Sequence, residues 1–385
     1  MNARITPIRP SRPQQARVAL LGTGVVGSAV WSRLADWSRT PLAERLSLVH
    51  VTNSRYGISN PDGLAFDTHE LLMRNAPRSS SLDAIDDALG DSGLRIVIDA
   101  TASEAVAEQH AHWLASGVHV VTACKLGQGT SLARWHEIQA ARIAGRTLYG
   151  DSATVGAGLP LLSSLRALQA GGDRILGIAG VLSGSMAWLC NAYDGLRPFS
   201  GFVRQARDAG YTEPDPREDL SGEDVRRKLL ILARASGYML DADAVQVESL
   251  VPETLAALVN SDVDAALPAL DAPLRERYAD AYKAGAKLRF VARLQAGGLA
   301  TVGMEVLPAD DVLAGGAGTD NRVAIWSDRY RERPLVVQGP GAGANVTAAA
   351  LLDDALAIQA SASNRAQAGT ASAKNSSIGI GRWNT

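Results

Sequence analysis

The feature that most constrains the fold of this chain is a glycine-rich turn that directly follows a short apolar segment. Arg17 to Leu21 (RVALL) runs into GTGVVG, and the following AVWSRLADW has the apolar spacing of a helix. In this spacing Gly22 allows a tight turn, Gly24 lets the backbone approach a pyrophosphate, and Gly27 permits close helix–strand packing. The pattern predicts a Rossmann-type strand–turn–helix unit that binds a dinucleotide. The alternative is a glycine-rich turn that only connects the two elements.

Length and composition indicate a globular protein of two domains. The 385 residues exceed one ordinary core, and 46% of them are hydrophobic and 20% charged. A net charge of −2 gives no indication of a nucleic-acid partner, and no apolar run is long enough to span a membrane. Residues 1–15 lack the apolar core of a secretory signal, so we interpret them as a flexible leader. Only two cysteines occur, Cys124 and Cys190, which favours a reducing, cytoplasmic compartment.

The second predicted strand ends without the acidic residue that commonly holds the ribose of NAD. Leu46 to Val51 (LSLVHV) is followed by Thr52 and then by Asn53, Ser54 and Arg55. Ser54 and Arg55 offer a hydroxyl and a guanidinium to a 2′-phosphate instead. The sequence therefore favours NADP, with NAD still open and a solvated loop arginine as the alternative.

Two further apolar runs extend the predicted sheet and bring a lysine to its edge. Arg95 to Asp99 and Val118 to Val121 have the composition of buried strands, and Lys125 follows the second. Ligands of open α/β sheets lie at the carboxyl ends of the strands, so Lys125 is a functional candidate, with a surface position as an equal alternative.

Three histidines in this region have two interpretations, a metal site or ordinary structural positions, and the sequence favours the second. His110, His112 and His119 are close in the chain, but no fourth ligand is near them. We predict that the first two lie on a helix surface and the third begins a strand.

The remaining chain suggests a second domain and a return to the first. Residues 151–334 combine helical segments with strand-like runs at 173–182, 287–295, 299–307 and 322–328, which predicts an α+β domain with a mixed sheet. Residues 335–360 form another strand, glycine loop and helix, which we assign with residues 16–150 to the Rossmann-type domain. Residues 361–385 are small and polar, so a disordered tail is expected.

The stretch from Tyr211 to Lys228 concentrates charge. Ser221 is predicted to cap a helix, with Asp224 as its capping-box partner. On that helix Asp224 and Lys228 are four residues apart and project to one side. One interpretation is a surface ion pair, which contributes roughly 0.2–0.5 kcal/mol. The other is a site where carboxylates hold an ammonium group and a lysine lies beside a reacting carbonyl.

The chain resembles the homoserine dehydrogenases, from about Arg17 to Ala360. The motifs that carry the resemblance are GTGVVG (22–27), VIDATASEAVA (97–107), HVVTACK (119–125), ATVGAGLP (153–160), GVLSGSMAWLCN (180–191), GYTEPDPREDLSGEDVRRKLLILAR (210–234) and GPGAGANVTA (339–348). Within the family it is most similar to the dehydrogenase half of the fused aspartokinase–homoserine dehydrogenases. We expect no kinase before Arg17 and no regulatory domain after Ala360, and therefore weak or no inhibition by threonine.

The resemblance implies NAD(P)H-dependent interconversion of L-aspartate 4-semialdehyde and L-homoserine, in the threonine and methionine branch of aspartate-family biosynthesis. It implies that Asp224, Lys228 and Lys125 surround the reacting oxygen. It also implies substrate contacts from Glu213, Asp219, Tyr211, Gly184 and Ser185. The implied cofactor contacts are Gly22, Thr23, Gly24, Val25, Val26, Gly27, Asn53, Ser54, Arg55, Thr101, Lys125, Gly341, Gly343 and Thr347.

The resemblance also implies a homodimer and a Na⁺ ion held by backbone carbonyls of Val155, Ala157 and Leu159. Ser152 stands where family members often carry an acidic ion ligand, although Asp151 is adjacent. Cys124 and Leu126 flank Lys125 where the family often has NKK or similar. Related amino-acid dehydrogenases are one alternative. A dinucleotide-binding sensor or scaffold without catalysis is another, supported only by these changed neighbours of Lys125.

Overall fold

The first domain is built on a mostly parallel sheet. The structure is a computed structural model that describes residues 14–66 and 82–376. In this part of the chain the first sheet has the order β3-β2-β1-β4-β5-β6, and only β3 is antiparallel to its neighbour. Its strands are β1 Ala16–Leu21, β2 Leu46–Thr52, β3 Gly57–Ser59, β4 Leu94–Asp99, β5 His119–Thr122 and β6 Tyr149–Gly150. The predicted Rossmann-type domain is confirmed.

Helices cover both faces of this sheet and one face of the second. They are α1 Val25–Trp37, α2 Asp83–Leu89, α3 Glu104–Ala115, α4 Leu132–Ala144, α5 Leu161–Ala170, α6 Gly184–Ala192, α7 Phe199–Asp208, α8 Arg217–Leu220, α9 Glu223–Ala235, α10 Glu253–Ala256, α11 Asn260–Ala266, α12 Asp271–Lys283 and α13 Ala344–Ser376. Helix α1 shows the underlying pattern: Gly27, Val30, Trp31 and Leu34 are buried at the three- and four-residue spacing of one helix face.

The second domain contains a mixed sheet with the order β12-β11-β7-β9-β10-β8. The strands are β7 Ile175–Val181, β8 Val245–Val247, β9 Lys287–Leu294, β10 Ala300–Leu307, β11 Asp320–Ser327 and β12 Leu335–Pro340. Alternate residues face opposite sides. Val323 and Ile325 join the helix-packed core, whereas Ala324 and Trp326 lie with the small cluster on the other face. The predicted α+β class is confirmed.

The chain returns to the first domain later than the sequence suggests. The strand expected at the edge of the first sheet is β12, and it pairs antiparallel with β11 in the second sheet. Helix α13 does return, and its Leu351, Leu352 and Ala355 are fully buried in the core of the first domain. The assignment of residues 335–340 to the first domain is therefore wrong, because a strand–loop–helix pattern does not specify which sheet its strand joins.

The tail expected from residue 361 differs from the structure as well, since α13 continues to Ser376. The Ser361 hydroxyl donates to the carbonyl of Ala357, and Ala362 packs against the core of the first domain. Alanine is the strongest helix former, which explains why this alanine-rich segment extends the helix. Residues 377–385 and residues 1–13 of the predicted leader lie outside the described residues.

Two short strands, β3 and β8, were not predicted from the sequence. Both lie outside the runs that the sequence predicts as strands. Each has only three residues, so neither shows a measurable alternation of apolar and polar positions. Among the described residues, no helix combines the length and the apolar character needed to cross a membrane.

Candidate functional site

The glycine turn after β1 has the geometry that its three glycines predict. Gly22 has φ +93°, where a side chain is disfavoured. A Cβ at Gly27 would lie 1.9 Å from the carbonyl oxygen of Gly22, so only glycine allows α1 to pack this closely. A Cβ at Gly24 would meet nothing within 4 Å, which leaves the backbone open to a ligand. Helix α1 begins at Val25, directly after this open position, and the N-terminus of a helix favours an anion.

The second glycine loop meets the first around one cavity of about 380 Å³. A Cβ at Gly341 would overlap the side chain of Asn321, and Gly343 has φ +125°. The Thr347 hydroxyl donates to the carbonyl of Gly343 at 2.9 Å and fixes the start of α13. The lining residues include Val25, Val26, Thr101, Lys125, Lys228, Gly341, Gly343 and Thr347. The structure thus brings together segments more than 300 residues apart.

A buried network at the end of β4 holds Thr101 beside this cavity. One oxygen of the Asp99 carboxylate accepts from the backbone N–H and the hydroxyl of Thr101, at 2.9 and 2.7 Å. The other oxygen contacts Nε2 of His110 at 3.0 Å and accepts from the Thr122 hydroxyl. His110 is fully buried, so its predicted surface position is wrong: it lies on the inner face of α3.

The other two histidines lie where they were expected. His112 is on the surface of α3 near Asp86, and His119 begins β5. Within the described ranges, no group of three or more histidine, cysteine, aspartate or glutamate side chains could hold a metal ion.

In the segment after β2, Asn53 is engaged in hydrogen bonds of the turn, whereas Ser54 and Arg55 are exposed. The Asn53 side chain donates to the Thr23 hydroxyl at 2.8 Å and accepts from the backbone N–H groups of Arg55 and Tyr56. Asn53 therefore couples this turn to the glycine loop. Ser54 and Arg55 are exposed, and the Arg55 guanidinium forms no ion pair with the described residues.

A larger cavity of about 870 Å³ adjoins the first and is lined with charged groups. Glu213 and Asp219 lie in its wall together with Tyr211, Gly184 and Ser185. Asp219 accepts from the Ser185 hydroxyl at 2.6 Å and from the backbone N–H of Glu213 at 2.9 Å. The predicted substrate residues are therefore next to one another in space. Thr101, Lys125 and Lys228 line both cavities and connect them.

Lys125, Asp224 and Lys228 form an ion cluster where the two cavities meet. The Lys228 ammonium lies 2.8 Å from one Asp224 oxygen, and the Lys125 ammonium lies 3.2 Å from the other. Lys228 also donates to the carbonyl of Leu182 at 2.8 Å. Lys125 comes from the loop after β5 and the other two from α9, so the cluster spans the two domains.

The electrostatics of the cluster differ from those of the neighbouring carboxylates. Burial alone would raise the pKa of Asp224, but the ammonium groups of Lys228 and Lys125 reverse this effect and hold that pKa well below its usual range. Burial raises the pKa of Asp219 and of Glu213, and each is raised further by neighbouring carboxylates. The cleft therefore contains one firmly ionised aspartate and two carboxylates that protonate more readily than usual.

Helix α9 begins differently from the capping prediction. Its N-cap residue is Gly222, with φ +78°, and no side chain caps it. The Ser221 hydroxyl donates to the carbonyl of Glu218 and accepts from the N–H of Glu223, so it links α8 to α9 instead. The capping-box prediction is wrong because Ser221 closes the preceding helical turn. This frees Asp224 to bind the two lysines.

The predicted ion segment provides oxygen ligands from the backbone only. Among the described residues nothing donates to the carbonyls of Val155 and Ala157, whereas the carbonyl of Leu159 accepts from the N–H of Leu161. Ala157 has φ +51°, unusual for a residue with a side chain. The adjacent Asp151 carboxylate is bound through both oxygens by Arg166.

Several residues that line the larger cavity were not predicted. Ser183 lines the cavity, caps α6 and contacts the Ser185 hydroxyl. Trp188 packs against the ring of the lining residue Tyr211. Ser183 precedes an apolar run as helix-capping serines do, so the sequence contained a signal for it. Thr319 and Arg227 also line the cavity. Thr319 precedes β11, about 100 residues from its neighbours in the site, and nothing local indicates its role.

Comparison with known proteins identifies relatives across nearly the whole chain. A family profile described as "Homoserine dehydrogenase" matches residues 160–356, and one described as "Homoserine dehydrogenase, NAD binding domain" matches residues 22–150. A homoserine dehydrogenase of Emericella nidulans is 35% identical over 89% of this chain and 97% of its own length. A bifunctional aspartokinase/homoserine dehydrogenase 2 of Zea mays is 36% identical over 89% of this chain. The chain spans only 38% of the length of this latter relative.

Solved structures agree with the sequence relatives. The crystal structure of a Candida auris protein of unknown function is 32% identical, with a TM-score of 0.83, and the alignment covers 90% of this chain and 98% of that one. The two-domain architecture described above is thus shared at nearly full length.

Proposed function

The chain belongs to the homoserine dehydrogenase family, and from this premise we propose that it interconverts L-aspartate 4-semialdehyde and L-homoserine with a nicotinamide cofactor. This reaction belongs to the threonine and methionine branch of aspartate-family amino-acid biosynthesis. The observation that carries the proposal is the Lys125–Asp224–Lys228 cluster between the dinucleotide cavity and the acidic cleft.

The acidic cleft suits a substrate that carries an ammonium group next to a small polar chain. Glu213 and Asp219 provide carboxylates, and the hydrogen bonds from Ser185 and from the N–H of Glu213 fix the orientation of Asp219. An ammonium group between them would be paired with negative charge on two sides, which is the usual condition for burying a cation. We assign the substrate ammonium to this pair.

The lysine cluster suits a carbonyl that becomes an alkoxide. The bound cofactor supplies a hydride to the aldehyde carbon in one direction and accepts it in the other. Negative charge then grows on the substrate oxygen, and an ammonium group at Lys125 or Lys228 stabilises it and gives up the proton. Asp224 holds both ammonium groups, so that they face the site without having to be reoriented during the reaction.

We propose a preference for NADP over NAD. Arg55 and Ser54 are exposed at the end of β2, beside the glycine turn, and the acid that would bind a ribose hydroxyl is replaced there by Asn53. Asn53 itself is engaged in the turn, which leaves Ser54 and Arg55 for a 2′-phosphate.

We also propose that Na⁺ binds the carbonyls of Val155 and Ala157. Hard cations prefer oxygen ligands, and these two carbonyls have no hydrogen-bond donor among the described residues. Leu159 is a weaker candidate since its carbonyl is already engaged. The ion would stabilise the left-handed turn at Ala157, and Asp151 would remain with Arg166.

A homodimer and a cytoplasmic location complete the proposal. The face of the second sheet opposite the helices carries Trp326 and the Arg293–Glu305 ion pair, and it is the surface that we assign to the dimer. Both cysteine thiols are free, which fits a reducing compartment.

The test is the oxidation of L-homoserine, followed by the absorbance of reduced nicotinamide, with NADP and NAD in parallel. L-Serine, which is one methylene shorter, is the control substrate. We expect turnover of L-homoserine with either cofactor, a lower KM for NADP and little turnover of L-serine. Tight dinucleotide binding without turnover of L-homoserine would contradict the proposal and favour the sensor or scaffold.

A further inference from the structure

We propose that Arg234 is a positioning residue that fastens the loop carrying Lys125 to helix α9, which carries Asp224 and Lys228. Lys125 belongs to the first domain and its two partners to the second. The geometry of the cluster therefore depends on whatever fixes the 125–130 loop against α9. The inference rests on the proposed function for its catalytic consequence, while the fastening itself can be tested without activity.

Arg234 is buried in a manner that needs an explanation. The residue is only 3% exposed, and it forms no ion pair with a carboxylate among the described residues. Burial lowers the pKa of Arg234 to about 10, a sign of how costly its charge is at this place. The compensation comes from hydrogen bonds to carbonyl oxygens and from the electrostatic attraction of the Asp241 carboxylate.

Those carbonyl oxygens belong mainly to the loop. The Arg234 guanidinium donates to the carbonyl of Gln128 at 2.5 Å and to that of Thr130 at 2.7 Å. It also donates to the carbonyl of Leu240, which follows α9, at 3.1 and 2.9 Å. One side chain of the second domain thus binds two peptide groups of the first.

The rest of the loop is held by hydrogen bonds within the loop and to Arg134, so its residues move together. The Lys125 carbonyl accepts from the N–H of Gly129 at 2.7 Å. The Leu126 carbonyl accepts from the Thr130 hydroxyl at 2.8 Å and from Arg134 at 3.2 Å. Because the loop is internally bonded, a force applied at Gln128 and Thr130 is transmitted to Lys125.

The loop also lies directly against the backbone of α9. A Cβ at Gly129 would come within 2.9 Å of the Arg227 carbonyl oxygen and 2.8 Å of the Lys125 carbonyl oxygen. Gly129 is thus required for the close approach, just before Lys228. Arg234 lies about 9 Å further along the same helix than Lys228, given a rise of 1.5 Å per residue. One rigid helix therefore carries the lysine–aspartate pair at one end and the fastening at the other.

The first test compares Arg234→Met and Arg234→Lys with Arg226→Met. Arg226 is on the same helix, is partly buried and also donates to a backbone carbonyl, that of Ala242. Its other partner is the Glu223 carboxylate rather than the loop, so it controls for the loss of a hydrogen-bonded arginine from α9. We expect Arg234→Met to lower kcat for L-homoserine oxidation at least about tenfold. The KM for L-homoserine should change less than threefold, since neither Glu213 nor Asp219 forms a hydrogen bond or ion pair with the described residues of the loop. Arg234→Lys should recover part of kcat because an ammonium can still donate to carbonyls.

The second readout is hydrogen exchange of residues 125–131, measured by mass spectrometry. Arg234→Met should accelerate exchange there severalfold, and Arg226→Met should not. Should the wild type show no turnover, the proposed function fails while the exchange comparison still decides the fastening. Unchanged exchange in a folded Arg234→Met protein, or equal losses of kcat in the two methionine variants, would overturn the inference.

Gly129→Ala offers an independent route if Arg234→Met does not fold. Its methyl group would push the loop away from α9, and the same loss of kcat with a nearly constant KM is expected. Gly201→Ala, in α7, is the matched control, because a Cβ there meets nothing within 4 Å. A Gly129→Ala protein with wild-type kcat and wild-type exchange would refute the proposal.

Discussion

Single residues in the cleft have distinct tasks because their surroundings differ. Asp224 lies between two ammonium groups that keep it ionised, whereas Glu213 and Asp219 lie beside other carboxylates and are partly desolvated. The first arrangement suits a fixed holder of charged lysines, and the second suits groups that receive a cationic ligand. We therefore propose two different roles for carboxylates that lie a few residues apart in the chain.

The raised pKa of Glu213 predicts how activity depends on pH. A carboxyl with a raised pKa protonates earlier as the pH falls and then no longer attracts an ammonium group, so kcat/KM for L-homoserine should fall on the acid side. Glu213→Gln should lower kcat/KM at neutral pH at least about tenfold and weaken this acid-side decline, leaving the part due to Asp219. The measurement is kcat/KM between pH 5 and 8. Glu253→Gln, on the surface, is the control, and an unaltered acid limb in Glu213→Gln would count against the assignment.

At the residue scale the sequence predicts chemistry better than geometry. The i,i+4 spacing of Asp224 and Lys228 correctly predicts that they meet, since a helix fixes that distance. That Lys125 joins them depends on how two domains pack, and only the family resemblance indicated it. Ser221 and His110 are cases in which a local pattern gave a wrong prediction. Ser221 was predicted to cap a helix, but its hydroxyl bonds the carbonyl of Glu218. His110 was predicted on the surface, but it is buried against Asp99.

At the scale of elements, helix α13 connects the two halves of the protein through Asp354. Asp354 accepts from the backbone N–H and the hydroxyl of Ser152, where the chain leaves the first sheet. Burial raises the pKa of Asp354 from 3.8 to about 6. The folded state therefore binds this proton more tightly than the unfolded state does.

Linkage then predicts a pH effect on stability. The contribution of Asp354 is most favourable below pH 3.8 and declines as the pH rises to about 6, by at most about 3 kcal/mol. Asp354→Asn removes this decline. The melting temperature of the variant minus that of the wild type should therefore rise between pH 4.5 and 7. The replacement of a carboxylate oxygen can also lower the stability of the variant by a constant amount, but a constant does not change with pH and leaves this rise intact. Asp353→Asn, at an exposed neighbour, should show a constant difference; a constant difference for Asp354→Asn as well would disprove the explanation.

Helices and strands with a clear apolar pattern were predicted correctly, but the sheet to which a strand belongs was not always predicted. The strand and helix around the first glycine turn follow from apolar runs and from the glycine spacing, in which Gly22 makes the predicted tight turn and Gly27 the predicted close packing. Strand β12 has an equally clear apolar run, yet its partner is β11 rather than an edge of the first sheet. Pairing partners are selected by long-range packing, which a local run of valines does not encode.

For the whole molecule, the proposed dimer makes the outer face of the second sheet an interface. Trp326→Glu would place a charge on that face, so we expect sedimentation velocity to show a monomer where the wild type sediments as a dimer. The interior of the domain should be unaffected, because Trp326 points away from the helix-packed core. Leu196→Glu, at an exposed apolar residue elsewhere, is the control. A Trp326→Glu protein that sediments like a dimeric wild type would exclude this face.

The two-domain organisation was predictable from length and from the change in pattern near residue 150. The cleft between the domains was not, because it depends on how α9 faces the end of β5. The arrangement of the cleft residues therefore depends on how the two domains pack against each other, although each residue could be selected from the sequence as a candidate.

The most direct test of the lysine cluster is the turnover of Lys125→Ala and Lys228→Ala beside the wild type, with dinucleotide binding followed by fluorescence. We expect each variant to lose at least about 100-fold in kcat for L-homoserine oxidation. Both should still bind the cofactor, because the two glycine loops are intact. Wild-type turnover in both variants, or loss of cofactor binding as the sole cause of inactivity, would contradict the claim that the lysine cluster is the reacting centre.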